Sequence, residues 1–301
     1  MSALAAAAAD YLGVRRALGY KLEGTEANLA SFVAYMDAGG AEHVTVAAAL
    51  DWANQAPRGG VAQRLANARG FIRYLQALDA AHEVPPAGLV PLRSRRAIPH
   101  LFTEADIAAL MHAAAALSPP PLASTVATVI GLLGVTGMRV GEVLRLNVVD
   151  VDLDAGVLTV WLGKFNKSRH VPLDPTTVTA LAGYSRQRRA ATKDTTAFFV
   201  SGLDQRLTYV AFAKAFADLL DSVGIGSAQR RPRIMDLRHS FATRTLLGWY
   251  SEGADVQALL PRLSTYLGHV DPTSTYWYLS AAPELMAIAA ERLEQHAERR
   301  S

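Results

Sequence analysis

Residues 148–173 read VVDVDLDAGVLTVWLGKFNKSRHVPL, and here the hydrophobic period of the chain changes. Val148–Leu153 alternates like a strand, Asp154-Ala155-Gly156 has turn chemistry, and Val157–Leu162 is rich in β-branched and apolar residues. Gly163–Ser168 is a polar loop, and His170–Leu173 is a further short strand. The stretch predicts a small antiparallel sheet. On either side apolar residues recur at helical spacing, which predicts helix over 122–146 before the sheet and over 175–192, 208–223, 236–250 and 283–298 after it. Pro283 suits a first helical turn. The expected fold class is mainly α with a small antiparallel β-sheet.

The amino-terminal part, 1–85, reads as helical, with interruptions at Gly39-Gly40 and Pro57-Arg58-Gly59-Gly60. Leu29, Phe32, Val33 and Met36 make one apolar stripe, and Leu65, Ala68, Ile72 and Leu75 make another. Arg64, Arg69 and Arg73 lie off the second stripe and read either as a phosphate-facing row or as an ordinary solvated face. Pro85-Pro86, Gly88, Pro91 and Pro99 then interrupt the helical pattern, with Arg93, Arg95 and Arg96 among them. Proline stiffens the path and disfavours helix, so 86–100 is expected to be a basic interdomain linker. Thr103 with Asp106 three positions on begins the next helix. A chain of 301 residues exceeds what one core usually serves. The expected division is a helical domain over 1–85, the linker, and a second domain over 101–301.

Composition narrows the chemistry. Formal charge is +3 and the pI is about 9.2, with the positive charge carried mostly by arginine; lysine occurs only at 21, 164, 167, 193 and 214. Arginine offers a planar fork that matches phosphate, which is a mild hint of nucleic acid. The absence of cysteine excludes disulfides, thiolate zinc sites and thiol catalysis. There is no long uncharged apolar run, so no membrane span is expected, and Met1–Ala9 makes a poor signal peptide. No metal-binding His/Cys cluster and no phosphate-cradling glycine loop is found, so no cofactor is expected.

Four segments carry the chemistry: TGMRVGEVLRL at 136–146, GKFNKSRHVPL at 163–173, MDLRHSFATRTLL at 235–247 and LSTYLGHVDPTSTYWYLSA at 263–281. Arg139 and Arg238 sit among apolar residues, where a guanidinium is costly unless an anion meets it. Glu142 is one turn from Arg139, so a structural ion pair is the plain alternative. Two such arginines with few acidic neighbours also suit one phosphate held by two forks. Lys164 at the hairpin tip reads as a solvated turn lysine or as a donor to a leaving oxygen. His269 reads as a helix-cap histidine or a site residue. Tyr276 and Tyr278 belong to an aromatic cluster with Trp277 and Tyr266.

Taken together, in this order and spacing, the segments resemble the tyrosine recombinases (phage integrases). That family carries T-G-x-R-x-x-E, then G-K-x-x-K-x-R-x-V-P-L, then H-x-L-R-H-x-F-A, then L-G-H with a tyrosine nine residues beyond the histidine, and the likeness covers about 100–290. The resemblance implies a helical core-binding domain ahead of a catalytic domain. It implies that Arg139 and Arg238 clamp the scissile phosphate and that Lys164 protonates the departing 5′-oxygen. His269 would support the phosphate or the tyrosine, and Tyr278 would be the nucleophile, with Glu142 as partner of the first arginine and His239 as the histidine after the second. Lys167 and Arg169, with Arg64, Arg69 and Arg73, are expected to contact DNA. The implied partners are double-stranded DNA and further recombinase subunits, as a homo-tetramer on paired sites or with partner recombinases. The implied setting is the bacterial cytoplasm, on the nucleoid. Phe165 stands where glycine is frequent, and the interval between Arg238 and His269 is long, which resembles recombinases of transposable elements. The sharpest departure is Met235, where the family has the histidine of H-x-x-R. A thioether neither donates a hydrogen bond nor carries a proton. The amphipathic segment 283–298 reads as packing on its own domain or docking on a neighbouring subunit.

Overall fold

A computed structural model of the chain describes residues 2–20, 22–56, 60–90, 99–161, 168–192, 195–202, 205–226 and 231–269. Lys164, Lys167, Tyr276, Tyr278, the arginines at 93, 95 and 96 and the helix expected over 283–298 lie outside the described residues. The chain forms two compact units, Met1–Arg96 and Ala97–Ser301, and the division falls within 86–100. No described helix is long and apolar enough to cross a membrane.

The first unit is helical: α1 (Ala3–Ala17), α2 (Glu23–Ala38), α3 (Val46–Asn54) and α4 (Val61–Leu78). Ser2 and Thr45 accept from amides in the first turns of α1 and α3, which satisfies donors the helix cannot. The expected stripes meet in its core, where Leu29, Phe32, Met36, Leu65, Phe71 and Ile72 are buried with Trp52. The Phe32 and Trp52 rings meet edge to face at 4.9 Å.

The second unit contains α5 (Glu104–Ala113), α6 (Pro120–Thr136), α7 (Val140–Arg145), β1 (Val151–Asp152), β2 (Val157–Val160), β3 (Arg169–Pro172), α8 (Pro175–Ala191), α9 (Tyr209–Ser222), α10 (Ile234–Ser251) and α11 (Val256–Leu267). Thr103 and Asp106 form the expected reciprocal cap at the start of α5. Helix α6 is central: it packs against α5, α8, α9 and α10, and Val126, Val129, Ile130, Leu132 and Leu133 are buried along it. A smaller apolar cluster, with Ala242, Leu246, Val256, Leu260 and Leu263, joins α10 to α11.

The sheet runs β1-β2-β3, antiparallel, with Leu158 opposite Val171 and Val160 opposite Arg169. Two expectations need correction. The strand read from Val148 is a 3₁₀ turn over Val148–Asp150, and β1 keeps only two residues. Asp150 causes this, because its carboxylate accepts from the Asn147 amide at 2.7 Å and from Trp161 Nε1 at 2.8 Å, which closes a tight turn. The helix read over 122–146 is two helices, broken at Gly137.

Candidate active site

The break at Gly137 builds the site. Its φ is +60°, a left-handed conformation that L side chains rarely adopt, and its amide closes on Leu133 O at 3.0 Å. A Cβ here would lie 2.4 Å from the Phe241 ring, so the position also needs glycine for space. The chain turns, buries Met138 and starts α7 with Arg139 as its capping residue. The Arg139 amide donates to Glu142 Oε2 at 3.0 Å and its Nη1 donates to Glu142 Oε1 at 2.8 Å. Nη2 donates to Gly268 O at 2.9 Å. Arg139 thus stands in the gap between helices rather than inside one, with 26% of its side chain exposed.

Arg238 lies on the first turns of α10 and is 3% exposed. It donates through Nη1 to Gly137 O at 2.8 Å and through Nη2 to Leu267 O at 2.9 Å, so one guanidinium ties the end of α6 to the end of α11. Arg169, the first residue of β3, does what the sequence did not suggest. It turns inward, donating from Nη1 and Nη2 to the two oxygens of Glu142 at 3.1 and 2.8 Å and from Nε to Tyr266 O at 2.9 Å. The signal was present in the alternation of the strand: residues two apart share a face, and Val171 is fully buried.

Every carbonyl from Ser264 to Gly268 has a donor. The left-handed Gly268, φ +70°, closes α11 with its amide on Thr265 O and the His269 amide on Ser264 O. The next three carbonyls, of Tyr266, Leu267 and Gly268, go to Arg169, Arg238 and Arg139 in turn. Helix C-termini present unsatisfied carbonyls and the negative end of the helix dipole, which is where guanidinium groups are stabilised. The end of α11 therefore gathers three cations beside one another, and His269 follows directly.

Glu142 bonds both Arg139 and Arg169, and it is 3% exposed. Burial alone would raise its pKa, but the hydrogen bonds and charge of Arg169, then the bonds from Arg139, prevail and hold it at about 2. Among the described residues, the three guanidinium groups outnumber the carboxylate that Glu142 brings to them. His269 responds to that: burial first, then the charges of Arg238, Arg139 and Arg169, push its pKa down to about 4. Its imidazole is neutral at neutral pH.

Met235 lies one turn before Arg238 on α10 and is 47% exposed. His239 is one turn beyond Met235, partly buried, and its charge acts on His269. In the first unit, Arg64 donates to Ser31 Oγ at 3.1 Å and lies over the Trp52 ring at 4.2 Å. Arg69 was expected on DNA but donates to Pro85 O and Pro86 O, both at 2.9 Å, where it holds the chain leaving α4. Arg73 is exposed.

The second unit is thus mainly helical with a small antiparallel sheet, and it gathers three arginines beside a histidine at one helix end. Residues 100–284 match the family model of the Phage integrase family, and the chain belongs to that family, the tyrosine recombinases. It is 40% identical over the full length of both chains to a Sinorhizobium fredii (strain NGR234) protein that carries the name integrase/recombinase y4rB. It is 30% identical to the tyrosine recombinase XerD of Yersinia pestis, over 78% of this chain and 73% of that one. Among solved structures, the Tn1549 transposon integrase in complex with transposon right end DNA shares the fold with a TM-score of 0.66 at 15% identity, covering 97% and 99% of the two chains. Family membership makes site-specific DNA recombination the general activity.

Proposed function

We propose that the protein cuts and rejoins DNA at specific sites through a 3′-phosphotyrosyl intermediate, in the service of a mobile element. The observation that carries this reading is the convergence of Arg139, Arg238 and His269 on the end of α11, around a net positive charge. A phosphodiester is an anion that gathers more charge on its non-bridging oxygens in the transition state, and preorganised guanidinium groups stabilise that charge. Tyr278 Oη gives up its proton to solvent and attacks phosphorus, the P–O5′ bond breaks, and Lys164 gives a proton to the departing 5′-oxygen. A 5′-hydroxyl from a second strand then reverses the step. The covalent ester conserves the bond energy, so no nucleotide is consumed. His269, uncharged at neutral pH, hydrogen-bonds the phosphate or the tyrosine. The active unit is a tetramer on paired sites, with 1–85 as the core-binding domain and Arg73 and Lys167 on the DNA backbone.

A second reading is favoured by Met235: a cleavage-impaired subunit that binds DNA beside an active recombinase. General-base help is typically worth about 10²–10⁴ in rate, and methionine supplies none. One experiment separates the two. A pool of nicked duplexes of random sequence is incubated with the full chain, and protein linked covalently to DNA is recovered after denaturation. An active recombinase yields adducts that vanish in Tyr278→Phe. An impaired subunit yields sequence-selective binding without adducts, and Met235→His creates them. No adduct from either form, with no selective binding, defeats both readings.

A further inference from the structure

The three arginines at the end of α11 are not equivalent. Arg139 keeps a quarter of its side chain exposed, whereas Arg169 is 13% exposed and its Nε, Nη1 and Nη2 all end on protein acceptors. Glu142 orients Arg139 by taking both its amide and its Nη1, but a carboxylate paired with one guanidinium also cancels that guanidinium's charge. An arginine so neutralised attracts an anion weakly. Arg169 binds the same two carboxylate oxygens from the opposite element, β3, and returns the charge that Glu142 removes. Its Nε on Tyr266 O fixes it to the same helix end that receives Arg139 and Arg238. The fit is also close: a Cβ at position 268 would lie 2.8 Å from Arg169 Nη1.

We propose that Arg169 is a positioning residue of the phosphate clamp: by sharing Glu142 it lets that carboxylate orient Arg139 without neutralising it. The inference rests on reading the cluster as a clamp for phosphate, and it removes Arg169 from the DNA-contacting set. A contact residue and a charge-restoring residue behave differently when Glu142 is also changed. The full chain is titrated with inorganic phosphate at pH 7, following the arginine Nε–H signals by NMR. Arg169→Gln is expected to bind phosphate about tenfold more weakly, the order expected for one charge lost at close range in a partly polar medium. The double variant Arg169→Gln with Glu142→Gln is expected to return within about threefold of wild type, because the uncompensated carboxylate is gone. A double variant as weak as Arg169→Gln overturns the proposal. Should Arg169→Gln fail to fold, Arg169→Lys decides: it keeps the charge, so affinity within about threefold supports the proposal and a tenfold loss sinks it. If the wild type itself binds no phosphate, the clamp reading falls and the proposal falls with it.

Discussion

Two groups of arginines in this chain are built to opposite plans. On α4, Arg64, Arg69 and Arg73 follow one another along a helix, and each meets its own surroundings: an aromatic face and a hydroxyl, two backbone carbonyls, and solvent. In the second unit Arg139, Arg169 and Arg238 come from three separate elements and converge on consecutive carbonyls of one helix end. The first group is close in sequence and dispersed in effect. The second is scattered over a hundred residues and concentrated in effect. Charge that is spread along a surface guides DNA weakly, and charge gathered in a partly buried place acts on a single phosphate.

The contrast can be broken most forcefully at Arg238. Arg238→Ala leaves Gly137 O and Leu267 O, both buried, without this donor and should cost about 3–5 kcal/mol in urea unfolding; a loss under 1 kcal/mol would mean the fork is ornamental. Next comes acid. Glu142 has a folded pKa of about 2 against an ordinary 4.5, so the unfolded chain takes up its proton first. Its contribution, about 3 kcal/mol, is complete above pH 4.5 and fades as pH falls toward 2. Stability measured from pH 7 to 2 should lose that limb in Glu142→Gln. His269 adds a separate decline with the same sign, between pH 6.5 and about 4, because the unfolded chain protonates it more readily. Gly268→Ala should cost about 2 kcal/mol, from left-handed strain and the crowding of Arg169. The smallest effect belongs to the α4 row: Arg73→Ala should leave stability within about 0.5 kcal/mol of wild type while lowering the salt slope of duplex binding by about one. An unchanged slope would take Arg73 off the DNA.

Much of this was legible in the sequence. The change of period at 148–173 located the sheet, and the stripes on α2 and α4 located the first core. Arg139, Glu142, Arg238 and His269 were chosen by pattern, and the structure brings all four together. What stayed hidden was long-range. No local pattern shows that the carbonyls of Tyr266, Leu267 and Gly268 will receive three arginines, since backbone acceptors carry no residue identity. The break at Gly137 had only the glycine itself to mark it, because apolar residues continue on both sides. The inward bonds of Arg169 stayed hidden because a basic residue beside a loop looks solvent-facing until the strand register is known. The abundance of arginine was itself ambiguous: Arg188, Arg206 and Arg244 also end on carbonyls, so arginine here closes helix ends and loops as well as meeting anions.

Because a single guanidinium joins the last turn of α6 to the last turn of α11, those two helix ends share one opening event. Their amide protons, 130 residues apart along the chain, should exchange with solvent at a common rate, slower than the ends of neighbouring helices that lack such a tie. A loss of synchrony on exchanging the fork for a lysine would locate the mechanical hinge of the domain at a side chain rather than in a loop.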